Sequence, residues 1–374
     1  MILSKKTKIA FVPQPLDMIF PPEQSSIGIW TYEVASRMAQ SCEVIVYSGL
    51  LPEKERLENG VHFKRISPVF DRWLYRILNR FSKRYNVRRP LFASKLYYLT
   101  YALQVAKDLR NQHCDIVHVH NLSQFVPVIR ALNPKVKIVL HMHGEWLSQL
   151  DPAMIERRLR HVDLILGCSD YVCRKIKRTF PQFAGRCRAI HNGVDVDHFC
   201  SKNGHMAKKD TTAKRLLFVG RLSPEKGLHT LLDAFQIVAK RLPQVHLDIV
   251  GPEALVPKQF LIDLSDDKQV SELASFYGRC YKSQLQERLS TDLASRVSFG
   301  GPIAHAQLSD RYCNADVFVF PSVCHEAFGM PVIEAMACGI PVVASRSGGI
   351  TEIITENETG VLVERGNASA LAEA

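Results

Sequence analysis

Residues 320–339 read FPSVCHEAFGMPVIEAMACG, and this stretch decides the fold. Phe320 ends a short apolar run, VFVF, which is typical of a buried parallel strand, and the residues after it predict a loop. The dipeptide Met330-Pro331 predicts the start of a helix, because proline suits the first helical turn. Backbone N–H groups at a helix start attract phosphate. The stretch therefore predicts a strand–loop–helix unit with an anion site at its loop.

Two glutamates lie in this stretch, Glu326 in the loop and Glu334 in the helix. Most glutamates in such positions are solvated surface residues. Glu334, however, is surrounded by apolar residues in VIEAMACG, and a buried carboxylate without partners is costly. We therefore interpret both as ligand-binding residues, since carboxylates accept hydrogen bonds from sugar and ribose hydroxyls.

The alternation of short β-branched runs with helix-length periodic segments extends through the whole chain. It predicts an α/β fold with two doubly wound Rossmann-like βαβ domains, whose ligands bind at the carboxyl ends of the strands. The polar, aperiodic stretch CSKNGHMAKKDTTA separates the two arrays. We predict a first domain over residues 1–199, a linker over 200–213 and a second domain over 214–374. Residues 90–110 of the first domain are predicted to form one helix.

The composition excludes several classes of protein. With 374 residues, 46% of them apolar and 23% charged, the chain is globular and long enough for two domains. No apolar run approaches the roughly 18 residues of a membrane span, and MILSKKTKIAFV is interpreted as a first strand, not a signal peptide. The ten cysteines contain no CxxC, which favours a reducing, cytosolic location. The absence of GxGxxG after the first strand, of GxxxxGK[ST] and of HExxH leaves nicotinamide, P-loop and zinc-protease chemistry unsupported.

The net charge of +11 is concentrated in one region of the first half, where residues 64–110 hold 12 Lys/Arg against 2 Asp/Glu. Apolar side chains at helical spacing alternate there with basic ones: Phe70, Trp73, Leu74, Ile77, Leu78 and Phe81 against Arg72, Arg76, Arg80, Lys83 and Arg84. This pattern is typical of a helix on an anionic membrane surface. A helix packed on the core with a solvated basic face is the alternative, and a lipid-linked or phosphorylated acceptor is another cause of the charge.

Two further patterns follow predicted strands. GRLSPEKG, residues 220–227, supplies the planar fork of Arg221 and the mobile charge of Lys226, which both suit phosphate oxygens, although alone they could be a solvated rim of the sheet. The pairs His118-x-His120 and His141-x-His143 place alternate residues on one face, so a zinc site is one interpretation. No cysteine or carboxylate lies at ligand spacing within those strands, and for His118 we favour a polar residue at a strand end.

Together these stretches resemble the retaining glycosyltransferases of family 4, which have the GT-B fold. The resemblance rests on FPS-x3-E-x-FGMP-x2-EAMACG-x-PVVAS, on GRLSPEKG, on NGVD at 192–195 and on SGG at 347–349. It covers essentially the whole chain and is tightest over 216–364. It implies two Rossmann-like domains facing each other across a cleft, with a nucleotide-sugar donor in the second and the acceptor in the first. It also implies that the second domain lacks the final helices usual in the family.

The resemblance assigns roles to residues of the second domain. Arg221 and Lys226 would hold the donor diphosphate, Glu326 the hexose hydroxyls and Glu334 the ribose. The loop amides would contact the sugar and the phosphate; these are the amides of Phe328, Gly329 and Met330.

In the first domain, the resemblance places Gly28 near the donor diphosphate and His143 near the sugar. The chain has Ile27-Gly28 where the family has two glycines, so a different loop path is expected. It has Gly251-Pro252-Glu253 where the family has a glycine–acid–glycine turn, so the contacts to the nucleotide base are expected to differ.

The predicted activity is retaining transfer of a hexose from a nucleoside-diphosphate sugar to a glycan or lipid-linked acceptor, in polysaccharide or glycoconjugate synthesis. UDP-hexose is the favoured donor and GDP-mannose the next. Glu326 and His143 are the predicted catalytic residues. No metal, cofactor or general base is expected, because in this family the leaving phosphate takes the acceptor proton.

The predicted location is cytoplasmic, peripheral on an anionic membrane through residues 64–110, and no nucleic acid is expected as a partner. Two alternatives stay open. One is a nucleotide-sugar epimerase on the same fold, and the other is a non-catalytic basic protein that binds membranes or polyanions.

Overall fold

The computed structural model describes residues 6–80, 86–199 and 213–374, and it divides into two compact α/β units. The first unit is Met1–His191 and the second is Asn192–Ala374. The first unit therefore ends at residue 191, whereas the sequence predicts that the first domain ends at residue 199. Phe199 explains the difference, because its ring is fully buried in the core of the second unit. The predicted linker lies outside the described residues, apart from residue 213.

The first unit is built on an eight-stranded sheet in the order β3-β4-β2-β1-β5-β6-β7-β8. Every neighbouring pair is parallel except β3 and β4. Its strands are β1 (Lys8–Val12), β2 (Glu43–Ser48), β3 (Glu55–Glu58), β4 (Val61–Arg65), β5 (Ile116–His120), β6 (Lys137–Met142), β7 (Leu164–Gly167) and β8 (Cys187–Ala189). Its helices are α1 (Ser26–Met38), α2 (Val69–Asn79), α3 (Leu99–Asn111), α4 (Phe125–Leu132), α5 (Trp146–Gln149), α6 (Pro152–Leu159) and α7 (Asp170–Thr179).

The single helix predicted over residues 90–110 is wrong in its first part. Leu91–Ala93 forms a separate buried 3₁₀ turn, and α3 begins only after Tyr98, whose φ of 54° is left-handed. The first N–H groups of α3 are satisfied by Asp71 of α2, whose carboxylate accepts hydrogen bonds from the backbone N–H groups of Thr100 and Tyr101, each at 2.9 Å. A carboxylate at a helix N-terminus is favourable for both its hydrogen bonds and its charge.

The second unit contains a six-stranded sheet in the order β11-β10-β9-β12-β13-β14, parallel at every described pairing. Its strands are β9 (Lys214–Val219), β10 (Val245–Val250), β11 (Val297–Gly301), β12 (Val317–Phe320), β13 (Val342–Ser345) and β14 (Val361–Val363). Its helices are α8 (Val196–Phe199), α9 (Leu228–Arg241), α10 (Lys268–Glu272), α11 (Tyr281–Gln286), α12 (Thr291–Ala294), α13 (Leu308–Cys313), α14 (Met330–Ala337), α15 (Ile350–Ile353) and α16 (Ala368–Glu373).

The core of the second unit explains why its strands are almost continuously apolar. Phe218 of β9 packs in one buried cluster with Leu231 of α9, whereas its neighbours Leu217 and Val219 pack in another with Val332 of α14. Both faces of the sheet are therefore covered, as in doubly wound folds. The strand order reverses beside β9, and ligands of such sheets bind at this point, outside the carboxyl ends of the strands.

No helix among the described residues is both long enough and apolar enough to cross a membrane.

Candidate functional site

Three loops of the second unit meet at the carboxyl ends of the neighbouring strands β9, β12 and β13. The loop after β9 is joined to the loop after β12 by a hydrogen bond from Val323 N–H to the carbonyl of Glu225, at 2.9 Å. The loop after β13 is joined to it by a bond from Gly349 N–H to the carbonyl of Glu326, at 2.8 Å. Residues of three sequence motifs are therefore held together by backbone contacts.

Lys226 and Glu326 form an ion pair at this junction. Lys226 Nζ lies 2.8 Å from Glu326 Oε1, and the two side chains are only 16% and 14% exposed. The hydroxyl of Ser322 also donates to Oε1. Burial alone would raise the pKa of Glu326, but the charge and hydrogen bond of Lys226, with the Ser322 hydroxyl, hold it below its ordinary value of 4.5. The carboxylate is therefore ionised at neutral pH and can accept hydrogen bonds.

Arg221 lies beside this pair and is held by a residue that the sequence reasoning missed. Its guanidinium contacts Glu225 Oε1 at 3.1 Å, and this side chain of Glu225 is almost completely buried whereas that of Arg221 is 46% exposed. The hydroxyl of Ser223 donates to the other oxygen of Glu225. Glu225 belongs to the GRLSPEKG stretch, so a sequence signal is present, although only the two cations of that stretch have predicted roles.

Glu334 is buried on α14, as its apolar neighbours predict, and it has two partners. The hydroxyl of Tyr312 donates to Oε2 at 2.8 Å, and His305 Nε2 lies 3.0 Å from Oε1. Burial, together with the nearby carboxylate, raises the pKa of the Tyr312 phenol well above its ordinary value. Neither partner belongs to a recognisable sequence pattern, and both were missed.

The predicted helix start at Met330 is confirmed. Gly329 immediately precedes it with φ 113°, and Phe328 before it is buried. A side chain at Gly329 would contact Ile350 at the start of α15, since an added Cβ would lie 2.2 Å from its Cδ1. The N–H groups that begin α14 are thus placed at the same junction as Lys226 and Glu326, which suits an anion.

In the first unit, the two His-x-His pairs lie on the adjacent strands β5 and β6 or directly after them, and His120 is paired in register with His141. His118 Nε2 lies 3.1 Å from His141 Nδ1, and His120 Nδ1 lies 2.9 Å from His143 Nε2. Burial holds the pKa of all four rings below the ordinary value, so they are neutral at pH 7. We call these four residues the histidine cluster.

Within this cluster, His143 is positioned by its neighbours. Its backbone N–H donates to Asn121 Oδ1 at 2.8 Å, and its Nε2 is engaged by His120. A sugar hydroxyl would therefore have to meet Nδ1. Asn121 and His120 are positioning residues that the sequence reasoning left without a role, although HxH spacing indicated that the rings share a face.

Gly28 lies in the first turn of α1, which begins at Ser26 and is capped by the Ser25 hydroxyl. An added Cβ would lie 1.8 Å from the carbonyl oxygen of Met18 in the loop after β1, so the close approach of that loop requires a glycine. Its contact with a diphosphate stays a prediction.

Asp17 lies in the same loop, and burial raises the pKa of its carboxyl to about 6. Hydrogen bonds from Gln14 and Ser25 act in the opposite direction and lower this pKa.

The basic segment contains α2, three of whose apolar side chains are exposed, whereas Leu74, Ile77 and Leu78 are half-buried. Phe70 and Trp73 are each 55% exposed and lie in contact with one another, with ring centroids 5.6 Å apart. Val69 is 68% exposed, and the one buried residue of the helix is the polar Asp71. We call the exposed residues Val69, Phe70 and Trp73 the apolar patch. Phe81, Lys83 and Arg84 lie outside the described residues.

Comparison with known proteins gives two family matches. The model for glycosyl transferases group 1 matches residues 205–374, and the model for glycosyltransferase family 4 matches residues 27–198. Several similar proteins have transferase names. A lipopolysaccharide 1,2-N-acetylglucosaminetransferase of Salmonella typhimurium is 25% identical over 369 residues, covering 94% of this chain and 84% of the relative. A phosphatidyl-myo-inositol mannosyltransferase of Mycobacterium tuberculosis is 33% identical over 266 residues, covering 70% of this chain and 62% of the relative.

Among solved structures, the chain is similar in fold to Anabaena HepE, which was crystallised in complex with UDP and glucose. The TM-score is 0.66 with 20% sequence identity, over 98% of this chain and 88% of HepE.

Proposed function

Because this chain belongs to the glycosyltransferases of group 1 and family 4, with the GT-B fold, we propose that it transfers a hexose from a nucleoside-diphosphate sugar with retention of configuration. UDP-hexose is the favoured donor and GDP-mannose the next. The acceptor is proposed to be a glycan or a lipid-linked sugar, in polysaccharide or glycoconjugate synthesis. Similarity to relatives and structures with such names supports the class of reaction.

The observation that carries the proposal is the buried pair of Lys226 and Glu326 beside the start of α14. Lys226 has three N–H donors, so it can bind a phosphate oxygen while it remains bonded to Glu326. Arg221, partly exposed and anchored at Glu225, offers a second cation. With the N–H groups of Gly329 and Met330, these residues form a site that can stabilise a leaving diphosphate.

In the proposed reaction, the bond between the anomeric carbon and the diphosphate oxygen breaks, and the electron pair leaves with the nucleoside diphosphate. The acceptor hydroxyl forms the new bond on the same face of the sugar, and its proton passes to the leaving phosphate oxygen. Lys226 and Arg221 stabilise the charge that develops on the diphosphate. The chain's own cations perform the neutralisation, so we propose no metal for this step.

Glu326 is proposed to orient the hexose. Its Oε1 is occupied by Lys226 and Ser322, which leaves Oε2 for sugar hydroxyls. Glu334 is proposed to bind the ribose hydroxyls, with Tyr312 and His305 fixing its two oxygens. In the first unit, His143 is proposed to donate to the sugar and Gly28 to let the backbone approach the donor.

Thermal shift and product analysis test the proposal together. UDP, GDP, ADP and CMP are titrated in turn, and stabilisation by one nucleoside diphosphate is expected. The stabilising base then identifies the sugar donor to be incubated with glycan and lipid-linked acceptors. Hexose appearing in the acceptor, with the anomeric configuration of the donor, is the expected product. Interconversion of the nucleotide sugar without acceptor would instead establish an epimerase, and no stabilisation by any nucleotide would contradict the donor site.

We also propose that α2 binds the cytoplasmic face of an anionic membrane. The three side chains of the apolar patch are exposed, and so are the basic side chains of Arg72 and Arg76 on the same helix. If this helix only covered the core, Phe70 and Trp73 would be buried. Basic residues attract anionic headgroups while aromatic side chains enter the interface.

Replacing both Phe70 and Trp73 with serine should weaken binding to phosphatidylglycerol-containing vesicles by at least about tenfold. Burial of each side chain contributes about 1.5–3 kcal/mol when complete. Co-sedimentation with vesicles of phosphatidylglycerol and phosphatidylcholine measures the effect. The matched control is Leu242→Ser, which removes a similarly exposed apolar side chain from the second unit. Equal binding by both variants, or equal binding to uncharged vesicles, would exclude this surface.

A further inference from the structure

The histidine cluster contains more ring nitrogens than its internal hydrogen bonds use. His120 Nε2 and His141 Nε2 are fully buried and have no hydrogen-bond partner among the described residues. A buried polar atom without a partner costs about 1–3 kcal/mol, so such an atom indicates a missing ligand.

Three of the rings are close enough to share one ion. One ring nitrogen from each of His118, His120 and His141 lies within 4.8 Å of the other two. His118 Nε2 and His141 Nδ1 are 3.1 Å apart. Two nitrogens bound to a tetrahedral zinc ion at 2.0–2.1 Å are separated by about 3.3 Å, so the spacing of these two nitrogens suits one ion. An ion bound there and to His120 Nε2 would satisfy that unpartnered atom, whereas His141 Nε2 would keep its proton.

We propose that His118, His120 and His141 form a binding site for a transition-metal ion of the zinc type in the first unit. Imidazole nitrogens suit zinc, copper and nickel, whereas magnesium and calcium require oxygen ligands. Three histidines leave the fourth position of a tetrahedral ion open for water or for hydroxide, and a bound hydroxide would partly offset the positive charge of the ion. The sequence alone did not favour a zinc site at the two His-x-His pairs. The geometry now supports such a site for three of the four histidines.

His143 does not belong to the three rings whose nitrogens lie close enough together to share the ion. Its Nε2 is engaged by His120 Nδ1 at 2.9 Å. If His120 binds the ion through Nε2, its proton must be on Nδ1, and that N–H donates to His143 Nε2. His143 then carries its own proton on Nδ1. Metal ligands are commonly oriented through the second ring nitrogen in this way. The ion would thus fix the tautomer of His143, and no step of the transfer is assigned to the ion itself.

The site is tested by ion binding, which does not depend on the proposed activity. The chain is treated with a chelator, dialysed against Zn²⁺ and analysed for bound metal. Co²⁺ is then added as a spectroscopic probe. One Zn²⁺ per chain is expected, together with the intense visible absorption of four-coordinate Co²⁺ and competition between the two ions. Folding of the chelated chain is checked by circular dichroism.

Single substitutions locate the ion. His118→Asn, His120→Asn and His141→Asn should each weaken Zn²⁺ binding by about 100-fold or more, since even loss of an outer partner weakens metal sites 10–100-fold. His143→Gln removes such an outer partner and should weaken binding by about tenfold. His62→Asn, which removes an exposed histidine from β4 of the same unit, should leave it unchanged. A folded wild-type chain that binds no Zn²⁺ would overturn the proposal and leave the cluster as an ion-free hydrogen-bonded network. Equal losses in His62→Asn and His118→Asn would also overturn it.

Discussion

Lys226→Ala should lower kcat/KM for sugar transfer by about 10²–10³-fold and abolish stabilisation of the chain by a nucleoside diphosphate. The substitution removes a cation that lies 2.8 Å from Glu326 and that we propose to neutralise the leaving diphosphate. It also leaves a buried carboxylate without its charged partner, which destabilises that carboxylate. Product formation and thermal shift on the same preparation measure the two effects.

Glu326→Gln should separate the sugar contact from the diphosphate contact. The amide has the size of the carboxylate and its oxygen still accepts a hydrogen bond from Ser322, but the charge opposite Lys226 is lost. The kcat/KM for transfer should fall about as much as in Lys226→Ala, while the nucleoside diphosphate should still stabilise the chain. The control is Lys240→Ala, which removes an exposed lysine from α9 of the same unit and should retain full activity. Unimpaired transfer by Lys226→Ala would disprove the assignment of the donor site.

The ion pair also predicts a pH dependence of stability. In the wild type, the lowered pKa of Glu326 means that the ionised form stabilises the fold above the ordinary pKa of 4.5, and this contribution is lost as pH falls through the folded value. In Lys226→Ala, burial dominates and should raise the pKa of Glu326. The ionised form then destabilises the fold, so the difference in Tm between the two proteins should grow as pH rises from about 4 to about 7. A difference that shrinks over this range would contradict the proposed cause.

The sequence was sufficient for the architecture and for local features of the contiguous motifs, while the roles of the residues in those motifs stay predictions. The helix start at Met330 and the burial of Glu334 followed from local pattern, because proline position and apolar neighbours are local properties. Lys226 and Glu326 were each identified from their own motif. Their direct contact depends on the pairing of β9 with β12, which brings together residues a hundred positions apart in the chain.

The partners of the buried polar groups could not be predicted, because their contacts join segments that are distant in the sequence. Tyr312 and His305 contact Glu334 from separate segments, and neither belongs to a motif. Asp71 looked like one acid in a basic helix, yet its carboxylate binds the start of α3 and helps to explain why that helix begins late. The hydrogen bonds among the histidines depend on the register of β5 and β6, which HxH spacing alone cannot specify. A fold class can thus be predicted from periodicity, whereas the partners of a buried polar group require the tertiary structure.

Gly348→Ala should damage both stability and transfer, because the backbone of Gly348 packs directly on that of Glu326. Gly348 has φ 48°, and an added Cβ would lie 2.2 Å from the carbonyl oxygen of Glu326. The left-handed conformation and the overlap together should lower the free energy of unfolding by about 2–4 kcal/mol. The loop that carries Glu326 must move to relieve the overlap, and a displacement of about 1 Å at a reacting group reduces rates by about 10²-fold.

Gly185→Ala is the matched control for this substitution, since Gly185 has no atom within 4 Å of an added Cβ and no left-handed φ. Its free energy of unfolding should stay within about 0.5 kcal/mol of the wild type. Denaturant unfolding and initial rates at varied donor concentration measure both variants. We expect Gly348→Ala to bind the donor more weakly while it stays folded below the denaturation midpoint. The reason is that Glu326 is displaced, whereas Lys226 and Arg221 lie on a different loop and keep their positions. If Gly348→Ala loses stability but transfers sugar at the wild-type rate, the carboxylate of Glu326 does not need its observed position, and the role proposed for it in orienting the hexose is wrong.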